Sequence, residues 1–255
     1  MVGNNFKKFL AESTENNNSR LILALDVAGE VTEKEKLVQK CLNILSETSD
    51  YIAAVKIGYS LVLNAGLGII SKVKEVNDIP IIADFKIADV PHISQQIAEL
   101  AYRAKADAVI SHGFTGRDSL EKIIEAAERE NDSGVFVVSN MSHPGGEMFI
   151  QPVSDRILNL AREAGATGVI GPATRPQEVE ELRSKAGKKM LILTPGIGAQ
   201  GGKAGDAIRH GADYEIVGRA IYRSESPGES AEMIRNQINE TLQEADVERS
   251  FGRRL

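Results

Sequence analysis

Short apolar runs alternating with helical patterns constrain this chain more than any other feature. Eight runs recur along 255 residues, at 21–25, 52–55, 79–83, 108–110, 135–138, 168–170, 190–193 and 214–217. They lie roughly 20 to 30 residues apart, and most are rich in Val and Ile on both alternating faces. That is the pattern of a parallel sheet covered by helices. The intervening segments read as helices. Thr32 and Glu35 form a capping-box pattern before Leu37, Val38, Cys41, Leu42 and Leu45, and Asp118 with Glu121 does the same before Ile123, Ile124 and Ala127. Thr174 with Gln177 starts another helix, with Pro176 in its first turn and Gly187 at its end. Ser226-Pro227 opens a last helix carrying Ile234, Ile238 and Leu242.

Eight strand–helix units predict the α/β class and a (β/α)8 TIM barrel in one domain. A doubly wound open sheet is the alternative. It is disfavoured because no G-x-G-x-x-G follows the first run. Residues 1–19 read as a polar arm, 20–242 as the barrel, and 243–255 as a charged tail that frays. Phe6, Phe9 and Leu10 are expected to pack the arm onto the barrel exterior or a partner subunit.

Composition narrows the function classes. A hydrophobic content of 42% supports one large core, and a net charge of −6 argues against nucleic acid as the main partner. The single cysteine, Cys41, excludes an intramolecular disulfide framework. It falls on the apolar side of a helical pattern, which predicts a buried, inert thiol and a reducing cytoplasm. No apolar run approaches the ~20 residues of a membrane span, and the first 20 residues lack the apolar core of a signal peptide.

In a barrel of this kind, active sites lie at the C-terminal ends of the strands. The first run here ends in Asp26, the second in Lys56, the third in Asp84 and Lys86, and the fourth in Ser111-His112. The fifth leads into 140–145, the seventh into the glycine-rich stretch from Pro195 to Gly202, and the eighth into Gly218-Arg219. Loops after strands seven and eight form the usual phosphate site of such barrels. Glycines 196, 198, 201 and 202 would let backbone N–H groups approach an anion. Gln200 adds an amide donor and Arg219 a forked cation. The plainer reading is a flexible loop and a surface arginine.

Asp84 and Lys86 share a strand face, and Lys56 lies on the neighbouring strand. Asp89 follows just before Pro91. Two Asp and two Lys balance in charge, so a structural ion-pair network closing the barrel mouth is one reading. The other is a site where charge does chemistry, with a lysine held protonated between carboxylates and able to deliver a proton to carbon. No Cys/His array has metal-ligand spacing, and no Ser-His-Asp arrangement is evident. His92 and His210 read as helix-end residues. His112 and His143 are placed to touch a ligand, without a base's role.

These residues resemble the orotidine 5'-monophosphate decarboxylase family, in its archaeal branch. The motifs that carry the likeness are Leu23-Ala24-Leu25-Asp26, Val55-Lys56-Ile57-Gly58, Asp84-x-Lys86-x-x-Asp89-Val90, Met141-Ser142-His143-Pro144-Gly145, Pro195 through Gly202, and Val217-Gly218-Arg219. The resemblance implies decarboxylation of orotidine 5'-monophosphate to UMP without metal or organic cofactor, in a homodimer. It implies that Lys86 protonates pyrimidine carbon 6 and that Asp84 lies against the departing carboxylate. Asp89 would reach the partner's site, Lys56 would tie the charges to the ribose, and Asp26 would hold a ribose hydroxyl. Ser142 would meet the pyrimidine, and Pro195 would line the substrate's pocket. Gln200 would bridge base and phosphate, and Gly218 and Arg219 would hold the phosphate. One position departs: Ile93 stands where the family carries Thr. This predicts weaker substrate binding unless Ser94 substitutes. Related Mg²⁺-dependent sugar-phosphate decarboxylases and synthases share Asp-x-Lys-x-x-Asp but carry an acid where this chain has Lys56. A catalytically silent nucleotide-binding barrel is the remaining alternative.

Overall fold

The eight apolar runs are parallel strands that close into a barrel in chain order. The computed structural model describes residues 1–27, 33–198 and 201–252. Its first elements are α1 (Asn4–Asn17), β1 (Leu21–Ala24), α2 (Lys34–Thr48), β2 (Ala54–Gly58), α3 (Tyr59–Ala65), α4 (Ile69–Val76) and β3 (Ile81–Ile87). Next come α5 (Pro91–Arg103), β4 (Ala108–His112), α6 (Arg117–Arg129), β5 (Gly134–Val138), α7 (Gly146–Phe149), α8 (Ser154–Ala164) and β6 (Gly168–Ile170). The last part holds α9 (Pro176–Ala186), β7 (Leu191–Pro195), α10 (Asp206–Arg209), β8 (Tyr214–Val217), α11 (Arg219–Tyr222) and α12 (Pro227–Gly252).

Strand alternation divides the apolar residues into two cores. Leu23, Val55, Ile57, Ile81, Val109 and Ile192 face outwards and pack under the helices. Ile22, Ala54, Ile82, Ile110, Phe136, Leu193 and Ile216 fill the barrel interior. Each of the larger side chains, fully buried, contributes on the order of 1.5–3 kcal/mol. Four strands outrun the apolar runs that predicted them: β2 continues to Gly58, β3 to Ile87, β4 to His112 and β7 to Pro195. Lys56, Asp84 and Lys86 therefore lie within strands. Their mutual ion pairs let the ladder continue through charge.

The N-terminal segment does not lie on the barrel exterior as expected. It forms α1, which closes the floor of the barrel. Phe6 and Leu10 join the interior cluster, and the Phe6 ring meets Phe136 edge-on at 5.7 Å. Asp132 accepts the first N–H groups from Gly3 and Asn4 at 2.8 and 2.9 Å, which meets the unpaired donors of a helix start. At the other end Asn17 donates to the carbonyls of Ser49 and Ile52. A barrel leaves the interior residues at its N-terminal rim uncovered, and the apolar stripe of α1 covers them. Phe9 stays outside that stripe, with the Lys74 ammonium 4.3 Å from its ring centre.

Helix ends depart from the expected caps. Thr32 lies outside the described residues, and α2 starts after Glu33. Asp118 sits inside the first turn of α6, where it accepts from Ser119 N at 3.0 Å, because Gly116 occupies the cap. Thr174 donates to Ser142 O at 3.3 Å rather than capping α9. In each case the backbone turn, not the residue type, decides what the hydroxyl or carboxylate can reach. Pro176, Gly187 and Pro227 stand at helix ends as expected. The segment expected to fray after Gln243 continues α12 to Gly252, since no Pro or Gly interrupts it earlier. Among the described residues no helix is long and apolar enough to cross a membrane. Cys41 is fully buried, and burial pushes its thiol up to about 12, so it is inert at neutral pH.

Glu215 is a buried acid on the outward face of β8. Its carboxylate accepts N–H groups from Gly205, Ala207 and Ile208 at 2.8, 3.1 and 3.4 Å, at the start of α10. Burial outweighs these donors and pushes the carboxyl from 4.5 up to about 7. A raised folded-state value means that folding favours the protonated form. This contribution, on the order of 3 kcal/mol, is complete below pH ~4.5 and is lost as pH rises through ~7. Glu215→Gln should remove that slope: the stability difference between wild type and variant, from urea midpoints, should change across pH 4.5–7.5. A pH-independent difference would contradict the assignment.

Candidate active site

The alternation that builds the inner core also builds the site. Two residues beyond the last inward apolar residue of a strand, the next inward position is Asp26 on unit one, Lys56 on β2, Asp84 on β3, Asn140 on unit five, Pro195 on β7 and Gly218 after β8. All six line one cavity of about 360 Å³ at the C-terminal mouth of the barrel. Lys86, Ser142, His143, Gly196 and Arg219 line it as well, and Ile110, Val138, Ile170 and Ile216 form its apolar floor. The volume suits a small-molecule ligand.

Four charges run across this mouth in alternating sign. Lys56 Nζ lies 3.0 Å from Asp26 and 2.9 Å from Asp84, and Lys86 Nζ lies 2.8 Å from both Asp84 oxygens. Lys56 and Asp84 are buried, whereas the Lys86 side chain is 42% exposed to the cavity. Burial alone would push Lys56 down, but Asp84 and Asp26 hold it above the usual lysine range. Burial alone would push Asp84 up, but Lys56 and Lys86 hold it below the usual carboxylate range. Both groups therefore stay charged at neutral pH. Asp26 Oδ1 is buried without a hydrogen-bond partner among the described residues. It crowds Gly58, where a Cβ would fall 2.6 Å from it, so a larger residue there would have to displace the Asp26 carboxylate.

Lys86 is placed by an irregularity in β3. Ala83 pairs with Val109 and Ile87 with Ser111, so three residues of β3 stand opposite one residue of β4. Lys86 takes φ +41, a left-handed value that costs a non-glycine residue about 1 kcal/mol or more. Ser111 Oγ donates to Ile87 O at 3.0 Å and closes the bulge. At this distorted strand end the ammonium lies over Asp84, the residue with which alternation already makes it share a face.

Asp89 is not brought into this cavity. It is exposed beyond β3, with a carboxylate oxygen on Val90 N at 2.7 Å. Ser94 and Ser119, both buried, each donate to its main-chain carbonyl at 2.8 Å. The Ser94 hydroxyl is thus engaged inside its own subunit and does not replace the hydroxyl missing at Ile93.

The phosphate side is partly as expected. Gln200 lies outside the described residues. Gly196, Gly198 and Gly201 have φ values of 126, 71 and 91. The loop folds on itself, however: Gly198 N donates to Gly202 O, Gly201 N to Gly198 O and Gly202 N to Gly196 O. Those three amides serve the loop rather than an anion, because its residues 196 and 202 come back together. Arg219 is exposed at the cavity edge, and no carboxylate among the described residues pairs with it.

His92, His210 and His143 stand where the sequence places them, whereas His112 does not line the cavity. His210 ends α10, its Nδ1 2.8 Å from Asp206 O, and His92 sits in the first turn of α5. His143 lines the cavity. The His112 ring packs 4.9 Å from Phe114, and burial, then the charge of Lys86, pushes it below the usual imidazole value. Tyr222 was missed as a lining residue. It sits on the one-turn helix α11, too short for any periodic signal. Arg175 and Glu178 were missed too, because their role is to hold a loop from another unit.

A model of the orotidine 5'-phosphate decarboxylase / HUMPS family matches residues 19–234. The chain is 48% identical over 221 residues to the orotidine 5'-phosphate decarboxylase of Methanococcoides burtonii, covering 87% of this chain and 98% of that protein. It is 50% identical over 220 residues to that of Methanosarcina barkeri, covering 86% and 95%. The crystal structure of orotidine 5'-monophosphate decarboxylase from Methanocaldococcus jannaschii complexed with inhibitor BMP superposes with a TM-score of 0.79 at 37% identity. It covers 87% of this chain and 99% of that one.

Proposed function

The chain belongs to the orotidine 5'-phosphate decarboxylase / HUMPS family, and from that premise we infer how its charged barrel mouth works. The protein decarboxylates orotidine 5'-phosphate to UMP and CO₂ in pyrimidine biosynthesis. The observation that carries this over the sugar-phosphate branch is Lys56, whose ammonium lies between Asp26 and Asp84. With Lys86 on Asp84, the two lysines balance the two carboxylates, and a divalent cation would be repelled by the Lys56 ammonium.

The substrate's phosphate meets Arg219 and Gly218, with Gln200 bridging towards the base. The ribose meets Asp26 and Lys56, Ser142 the pyrimidine, and Pro195 the pocket wall. Asp84 stands against the substrate carboxylate, and that repulsion ends as CO₂ leaves. The C–C bond breaks, its electron pair stays on carbon 6, and Lys86 delivers an N–H proton there. Solvent then restores the ammonium. Because the ions are already in place, little reorganisation accompanies the charge change. Phosphate contacts far from carbon 6 hold the reacting group in register with Lys86.

Asp89 serves the site of a second subunit in a homodimer. This reading is supported by its exposure and by exposed apolar residues on its own and the two adjoining units: Leu63, Val90, Leu100 and Phe114. A buried lone thiol fits a cytoplasmic setting. The test of the reaction is UMP formation from orotidine 5'-phosphate in excess EDTA. Full turnover is expected. Strict dependence on added Mg²⁺, or UMP binding without turnover, would overturn it.

A further inference from the structure

The cavity segment Asn140-Met141-Ser142 is held from behind by a polar network converging on Glu178 in the first turn of α9. Glu178 does not line the substrate cavity. It lines a separate hollow of about 220 Å³ behind the loop, shared with Asn140 and Gln151. Its Oε2 accepts from Asn140 Nδ2 at 2.8 Å, and its Oε1 accepts from Gln151 Nε2 at 2.9 Å. Arg175 Nε lies 2.9 Å from Oε1 but outside hydrogen-bonding geometry, so that contact is an ion pair.

Asn140 and Arg175 both act on the main chain of one residue, Met141. Asn140 Oδ1 accepts from Met141 N at 2.8 Å, and Arg175 donates to Met141 O at 2.7 Å. The amide orientation of Asn140 follows from this: its NH₂ must face an acceptor so that its oxygen can face Met141 N. Only an acceptor-only group can meet the Asn140 amide, the Gln151 amide and the Arg175 cation together. A carboxylate does so, whereas a glutamine would turn a donor towards at least one of them. Asn140 is buried, so an unmatched amide there costs more than it would at the surface.

We propose that Glu178 is a positioning residue for recognition of the pyrimidine, acting through Asn140 and Arg175 on the two peptide groups that flank Met141. The proposal rests on the reading that Ser142 meets the base. The ribose and phosphate contacts come from Asp26, Lys56 and Arg219, on other units. Losing Glu178 should therefore weaken binding of the base and spare the rest of the nucleotide.

The experiment compares UMP with ribose 5-phosphate, which lacks the base, by equilibrium titration of the full chain. Glu178→Gln should weaken UMP about tenfold and change ribose 5-phosphate less than twofold. Amide exchange at Met141 and Ser142 should quicken, while that of β7 and β8 stays as in wild type. Glu178→Asp keeps the charge but withdraws it by one methylene. It should show the same split in smaller measure, and it carries the test if Glu178→Gln does not fold. Equal weakening of both ligands, or of neither, would overturn the proposal. Wild-type turnover of orotidine 5'-phosphate is measured alongside: its absence would count against the function, and its presence without the ligand split would count against Glu178 alone.

Discussion

Lys86→Ala should abolish decarboxylation while leaving a folded protein that binds UMP. The lost step is the proton transfer to carbon 6, and the lost charge also faces the reacting carboxylate. A fall of at least about 10⁴-fold in kcat is expected from the two effects together. Stability should change little. Lys86 is 42% exposed, and Asp84 keeps its buried partner Lys56. The strained φ of +41 persists with alanine, so the backbone gains no relief. UMP affinity should stay within about tenfold of wild type, since the base and phosphate contacts remain. Residual turnover near wild type would show that another group supplies the proton. The same variant tests the subunit arrangement. Mixed with Asp89→Asn, it forms heterodimers in which one of the two sites has both residues intact. Activity should recover to roughly a quarter of wild type on equal mixing. No recovery, with subunit exchange demonstrated, would place Asp89 outside the shared site.

Lys56→Met should be costly to the fold as well as to the reaction. Lys56 is buried between Asp26 and Asp84, and methionine fills a similar volume without charge. Asp84 would stay buried with Lys86 as its one cation, and Asp26 would lose its partner. Removing one member of a buried pair costs about 3–5 kcal/mol. The Asp84 carboxyl, held low in wild type first against burial by Lys56 and then by Lys86, should rise towards the usual range. The sign follows: a depressed carboxyl contributes stability above its unfolded value that is lost on acidification. The variant should therefore show a smaller loss of stability between pH 6 and pH 3 than wild type. Urea melts at the two pH values check this. An unchanged midpoint at pH 7 would mean that the ion chain adds nothing to the fold.

Much of this was legible in the chain because barrels have simple rules. Strand alternation makes Asp26, Lys56 and Asp84 inward residues one step above Ala24, Ala54 and Ile82, and parallel strands in chain order make them neighbours. That Pro195, Gly218 and Arg219 stand at the barrel mouth was legible from their place after β7 and β8. Other features were not. The apolar residues of α1 could have packed on any uncovered surface, and only the open barrel floor selects one. The glycines of 196–202 allow several loop shapes, and hydrogen bonds within the loop choose the one that uses three of their amides internally.

What the sequence alone determined was the set of inward charges, their order and the strand ends that carry them, since each follows from local periodicity. The tertiary structure decided what those charges face. The bulge that carries Lys86 exists only in the pairing of β3 with β4, where three residues stand opposite one. Glu178 reaches Asn140 because α9 packs beside the loop after β5, 38 positions away in the chain. Contacts between residues so far apart depend on how layers pack, and no local pattern encodes them.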